Sequence, residues 1–221
     1  MIARLVSAAL AYQGLYALAS EDYSAGQEHL LLASEDSDHD RSLGSWRYRL
    51  FQPESLSEFE QTILDALNAV RASVDPPADP AIPPIIWDRD AATVAQNWVD
   101  GCVYDFNSDA SEEYDLLAGD GDDVVPFIGE LIARRIFIST PRAPDFVAGV
   151  AASLWEASSQ FYDYETNTCT DNECLNYTQV VWRNTTSVGC AVATCFDDSF
   201  NFQFVSCNFV PGGNFRNQRP Y

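Results

Sequence analysis

Two histidines, His29 and His39, are the only imidazoles in the chain, and both lie in an acidic N-terminal stretch. Any serine or cysteine nucleophile further along therefore lacks the common general base. Carboxylates are plentiful, but no spacing singles out a pair for acid–base work. Asp115, Asp120, Asp122 and Asp123 offer the hard oxygen ligands that calcium takes, yet they lack the calcium-loop pattern and its terminal Glu. They read as a solvated acidic loop. No catalytic residue, metal or cofactor is expected. The even set of six cysteines, Cys102, Cys169, Cys174, Cys190, Cys195 and Cys207, can pair as disulfides in many ways.

Charge narrows the partners. All 12 basic residues are Arg, against 33 acidic ones, for a formal charge of −21. Such a surface repels phosphates and anionic lipid head groups, so nucleic acid and acidic membranes are poor partners. Residues 1–19 read as a signal peptide: Arg4 is the basic start, Leu5 to Leu18 the apolar run and Ala17-Leu18-Ala19 the cleavage site. That run is too short to span a bilayer, and no later segment is apolar enough. Secretion would expose the cysteines to an oxidising path.

The elements that must hold any site are legible in the pattern. Residues 20–55 are acidic and read as a flexible leader, with a short strand possible at Trp46–Phe51. A folded domain is expected over 56–221. Ser57-Glu58-Phe59-Glu60 is a capping box, and Phe59, Ile63, Leu67 and Val70 follow at helical spacing. Pro76, Pro77 and Pro80 end that helix. Ile85-Ile86-Trp87 leads to a second helix, capped by Asp88 or Asp90 and carrying Val94, Trp98 and Cys102. Residues 107–125 read as acidic loop, and 126–138 as an apolar stretch broken by Arg134-Arg135. Pro144-Asp145 opens a helix through Trp155 and Phe161. Strands are then expected at Tyr177–Arg183, Val188–Cys195 and Phe202–Phe209, with Asn184-Thr185-Thr186 as a turn. Helices first and a meander last predict an α+β layered domain.

The run Cys174-Leu175-Asn176-Tyr177-Thr178-Gln179-Val180-Val181-Trp182 resembles a signature of the CAP superfamily: cysteine-rich secretory proteins, antigen 5 and pathogenesis-related 1. Leu175-Asn176 stands where Gly-His is usual. Phe204 to Phe215 resembles the second signature, and Arg216 to Tyr221 the plant-type end. Asp65-Ala66-Leu67-Asn68-Ala69-Val70-Arg71 resembles the opening motif, with Leu67 in place of His. Ile86-Trp87-Asp88 and Ala95-Gln96-Asn97-Trp98 also fit. The resemblance runs from 57 to 221, interrupted by an apparent insertion near 120–143. It implies a three-layer α/β/α sandwich around a central antiparallel sheet. It also implies three disulfides: Cys102–Cys195, Cys169–Cys174 and Cys190–Cys207.

The family cleft holds two His and two Glu able to bind a divalent metal. Carried over by motif, those positions fall on Phe106, Tyr114, Ser158 and Asn176, with Glu113 one step from Tyr114. Phe cannot ligate zinc, and the other three are weak neutral replacements, so a hydrogen-bonded, partly aromatic pocket is expected instead. The loop that binds sterols in some members falls on Tyr162-Asp163-Tyr164-Glu165-Thr166-Asn167-Thr168-Cys169. Its two early aromatics are kept, and its late position is Cys169. Asn176 and Asn184 both begin glycosylation sequons, and Asn184, at the predicted turn, is the expected glycan site. The resemblance implies a secreted, non-enzymatic protein binding a small apolar ligand, a sterol or fatty acid. The alternative is a secreted interaction, effector or defence-type protein with a protein partner, acting through its surface or through the terminal peptide Pro211–Tyr221. In that peptide's recognition site Phe209-Val210 replaces the usual Tyr-Asp.

Overall fold

Two of the capping signals read from the sequence are formed. Ser57 Oγ accepts the Glu60 N–H, and the Glu60 carboxylate accepts the Ser57 N–H at 2.7 Å. This starts α1 (Glu58–Ala72), whose Phe59, Ile63, Leu67 and Val70 are buried. Asp88, not Asp90, caps α2 (Arg89–Asp100): its Oδ1 accepts the N–H groups of Asp90 and Ala91. The computed structural model describes residues 55–118, 127–196 and 200–221. The signal peptide, the acidic leader to residue 54 and the Trp46–Phe51 strand lie outside the described residues.

Three more helices follow. α3 (Ala110–Ala118) occupies part of what reads as acidic loop. α4 (Pro144–Ala157) has proline in its first turn, where the missing N–H costs nothing, and runs into a 3-10 turn at Ser158–Phe161. α5 (Leu175–Val180) replaces the strand expected at Tyr177–Arg183. Its Tyr177, Thr178, Gln179 and Val180 are all buried. Four consecutive buried residues carry no clean period, so the sequence is ambiguous between helix and strand.

The main sheet contains β1 (Ile86–Trp87), β2 (Gly129–Phe137), β5 (Ser187–Phe196) and β6 (Asn201–Val210), in the order β1-β5-β6-β2. β1 lies parallel to β5 and the other pairs are antiparallel, so the sheet is mixed rather than wholly antiparallel. β3 (Tyr162–Asp163) and β4 (Thr168–Cys169) form a separate two-stranded ribbon. The apparent insertion near 120–143 contains β2, which pairs with β6 over its full length, from Gly129↔Phe209 to Phe137↔Asn201. Arg134 and Arg135 do not break the strand, because successive side chains leave on opposite faces of an edge strand.

β6 is buried on both faces, which explains its apolar run. Val205, Cys207 and Phe209 pack with α1, α4 and α5, while Phe202 and Phe204 pack with Ala95 and Val99 of α2. The result is the expected α/β/α sandwich. Gly189 on β5 allows α2 to seat directly, since a Cβ there would collide with the backbone of Asp88, Ala91 and Ala92. The three disulfides are those the resemblance implies: Cys102–Cys195 ties the end of α2 to β5, Cys169–Cys174 closes the loop before α5, and Cys190–Cys207 staples β5 to β6.

Candidate binding cleft

Arg71 anchors the region around α5. Its buried guanidinium donates to the carbonyls of Pro83, Val180, Trp182 and Thr185, at 2.8 to 3.2 Å. Burial, and secondarily the charge of Arg183, lowers its pKa to about 10. Gln179 of α5 bridges outward: its Oε1 accepts the Gly213 N–H at 2.7 Å and its Nε2 donates to Thr185 Oγ1. Thr178 Oγ1 donates to Asn214 Oδ1 at 2.6 Å. The signature run thus holds the start of the terminal segment against the domain.

Four tyrosines meet beside it. The Tyr162 ring lies 6.5 Å from Tyr164 and 6.2 Å from Tyr177, and the Tyr164 ring stacks on Tyr221. The Arg219 guanidinium donates to the carbonyls of Tyr164 and Glu165 and lies over the Tyr164 ring. The Pro220 carbonyl accepts the Arg183 N–H, and the Tyr221 hydroxyl donates to the Asp75 carbonyl. The last three residues therefore strap the 162–169 loop. Burial raises the phenols of Tyr162, Tyr177 and Tyr221, Tyr162 to about 12. Next to Tyr162 and Tyr177 lies a cavity of about 270 Å³ between the ends of α1 and α4, also lined by Val70, Asp75, Glu156 and Gln160.

Among the described residues, no side-chain hydrogen bond links the four carried-over cleft positions to one another. Ser158 is buried beside α5; its Oγ accepts the Tyr177 N–H at 2.9 Å and donates to the Trp155 carbonyl. Asn176, half-buried, is the neighbour of that Tyr177. Tyr114 belongs elsewhere: its hydroxyl donates to Asp88 Oδ2 at 2.8 Å, the oxygen that also accepts from Ser187 Oγ. Burial, then the Asp88 hydrogen bond and charge, raises that phenol. Phe106 is exposed. Glu113, one step from Tyr114, accepts from Asn107 Nδ2 at 3.3 Å. Among the described residues no hydrogen bond joins the Ser158 group to the Tyr114 group.

These positions do not fit a divalent metal. Phe106 has no donor atom, the Ser158 and Tyr114 hydroxyls are engaged, and only Asn176 remains. Among the described residues no cluster of three or more His, Cys, Asp or Glu is placed to hold a metal ion. Two features escaped the sequence. Glu130 of β2 accepts the Asn107 N–H at 2.6 Å and the Ser206 hydroxyl at 2.7 Å, and burial raises its carboxyl. Beyond the cap that the sequence offers, Asp88 is also a hydrogen-bond hub for α3 and β5. A lone acid inside the apolar stretch 126–138 is the only signal for Glu130. Asn184, the expected glycan site, is exposed on the turn between α5 and β5.

The sequence profile of the CAP cysteine-rich secretory protein family matches residues 64–209. Pathogenesis-related protein 1A of Nicotiana tabacum is 35% identical over 164 residues, 73% of this chain and 80% of its own length. GLIPR1-like protein 1 of Homo sapiens is 34% identical over 166 residues, 74% of this chain and 62% of its own. The solved structure of Schistosoma mansoni venom allergen-like protein 4 has a TM-score of 0.55 at 26% identity, covering 75% of this chain and 95% of that one.

Proposed function

Since the chain belongs to the cysteine-rich secretory protein (CAP) family, we propose that it is a secreted, non-enzymatic binding protein whose 162–169 loop takes a small apolar ligand, a sterol or a fatty acid. The observation that carries this reading is the placement of the Tyr162 and Tyr177 rings on the wall of the 270 Å³ cavity beside Val70. The two tyrosines and Val70 offer apolar contact to an acyl chain or fused rings, while Asp75, Glu156 and Gln160 on the same wall can accept from a hydroxyl head. Small-molecule pockets run from about 300 Å³ upward, so a cavity of about 270 Å³ suits an acyl chain better than a whole sterol. The carried-over cleft positions support binding over chemistry, because the Ser158 and Tyr114 hydroxyls are engaged in hydrogen bonds and Phe106 has no reactive group.

The test is equilibrium binding of labelled sterol and labelled fatty acid to the purified protein. Saturable uptake that falls on Tyr162→Ala supports the reading. No saturable uptake of either ligand sinks it.

A defence-type role through a surface is the second reading, favoured by the likeness to pathogenesis-related protein 1A. Its released-peptide form fits the packing poorly. Val210 is buried at the end of β6, the Gly212 N–H donates to the Phe127 carbonyl, and Gly213 lies against the Trp182 ring. Cleavage before Pro211 would require that end of the sheet to open first.

A further inference from the structure

We propose that the outer edge of β2 is a docking strand for an extended acidic segment of a partner protein. This surface is separate from the ligand cavity and independent of it. Among the described residues β2 ends the sheet, so alternate residues turn their N–H and C=O groups away from β6. The Ile132 carbonyl accepts from Trp155 Nε1, and past it no described side chain bonds to the backbone of β2. Apolar side chains crowd this free end: Ile136 is 52% exposed, Ile138 96% and Phe146 50%. A groove of about 490 Å³ runs along Arg135, Phe137, Ile138 and Arg142.

Charge identifies the occupant. In a chain of net −21, three arginines gather at this edge, and among the described residues none of them meets a carboxylate. Arg134 lies over the Tyr104 and Phe200 rings, at 4.5 and 5.5 Å from their centroids. Arg135 and Arg142 both lie over Phe146, at 5.8 and 5.7 Å. Arg135 also has a buried Nη1 with no hydrogen-bond partner. Alternation places Arg134 on one face of β2 and Arg135 on the other, so a strand added at the edge would have guanidinium groups on both sides. Acidic side chains of such a strand would meet them, while its apolar residues would cover Ile136 and Ile138. A second copy of this chain is the poorer occupant, because self-pairing would bring like-charged arginines together.

The test uses the full chain and a short synthetic peptide of alternating glutamate and valine. The protein's overall field repels this peptide, so saturable binding at low salt requires a local cationic site. The expected result is saturable binding that weakens with added salt. Arg134→Gln, Arg135→Gln and Arg142→Gln together should weaken it about tenfold, with circular dichroism unchanged. The same peptide with alternate backbone nitrogens methylated should not bind, because it cannot pair with the edge; this arm needs no protein variant. Three outcomes would overturn the proposal: no saturable binding, equal binding of the methylated peptide, or equal binding to the arginine variants. A dimer in sedimentation that Ile138→Asp disrupts would assign the edge to a second copy and overturn it as well.

Discussion

The Tyr164 ring stacks on the Tyr221 ring with centroids 4.9 Å apart and 25° between the planes. One comes from the ligand loop and the other from the last position of the sequence, so the loop's shape depends on the terminal segment. Tyr221→Ala should cost about 2 kcal/mol, since a half-buried ring and its hydrogen bond to Asp75 are lost. Tyr221→Phe should cost about 1 kcal/mol or less. Urea unfolding at unchanged m-value checks both. If the two variants unfold at the same midpoint as the intact protein, the strap carries no stability.

Arg71 should be the costliest single polar position. Removing its guanidinium leaves the carbonyls of Pro83, Val180, Trp182 and Thr185 short of donors in a buried place. Arg71→Met should lose about 4 kcal/mol. Arg71→Lys should recover less than half of that, because one ammonium cannot reach carbonyls spread around a planar fork. Denaturation midpoints of the two variants decide it; a fully stable lysine variant would refute the fork geometry.

Much of this arrangement was legible in the residues, and the exceptions share a cause. Local signals survived into the fold: the Ser57–Glu60 capping box, the helical spacing of Phe59, Ile63, Leu67 and Val70, and the Asp88 cap. Each depends on neighbours within a turn or two of chain. The disulfide pairs followed from resemblance, which already encodes contacts across 93 residues in the case of Cys102–Cys195. What failed was set by distant packing. Tyr177 to Val180 of α5 are all buried, which erases the period that separates helix from strand. β2 pairs with a strand far along the chain, so nothing local marked it as the sheet's edge. The partners of the two α3 residues also depend on packing: Tyr114 bonds to Asp88 and Glu113 lies beside Asn107.

The disulfides should rank by the loop each closes. Their separations are 93, 17 and 5 residues for Cys102–Cys195, Cys190–Cys207 and Cys169–Cys174. The chain-entropy relation gives about 4.6, 3.1 and 2 kcal/mol in that order. Paired serine variants measured by thermal unfolding test the ranking. The Cys169/Cys174 pair has a second readout: its loss frees the end of the 162–169 loop, so ligand uptake should weaken more than stability does. Equal loss of stability from all three pairs would contradict the ranking.

Alkaline pH should unfold the protein through its buried phenols. Burial is the largest cause of the raised values at Tyr104, Tyr114, Tyr162, Tyr177 and Tyr221, with Tyr162 pushed up to about 12. In the unfolded chain these groups ionise near 10. Between that value and their folded values the native state binds more protons than the unfolded state, so stability falls as pH rises. Below 10 both states are fully protonated and these groups add no pH dependence. Arg71 acts in the opposite sense: its folded value is lowered, so between about 10 and its usual 12.5 the native state binds fewer protons and stability gains. One opposing group against five leaves a net loss. The near-ultraviolet tyrosinate band, followed with circular dichroism, checks this: the buried set of Tyr104, Tyr114, Tyr162, Tyr177 and Tyr221 should ionise only as the fold opens. A single titration of all tyrosines near 10 with the ellipticity intact would show that the cluster around Tyr162 and Tyr221 is open to solvent.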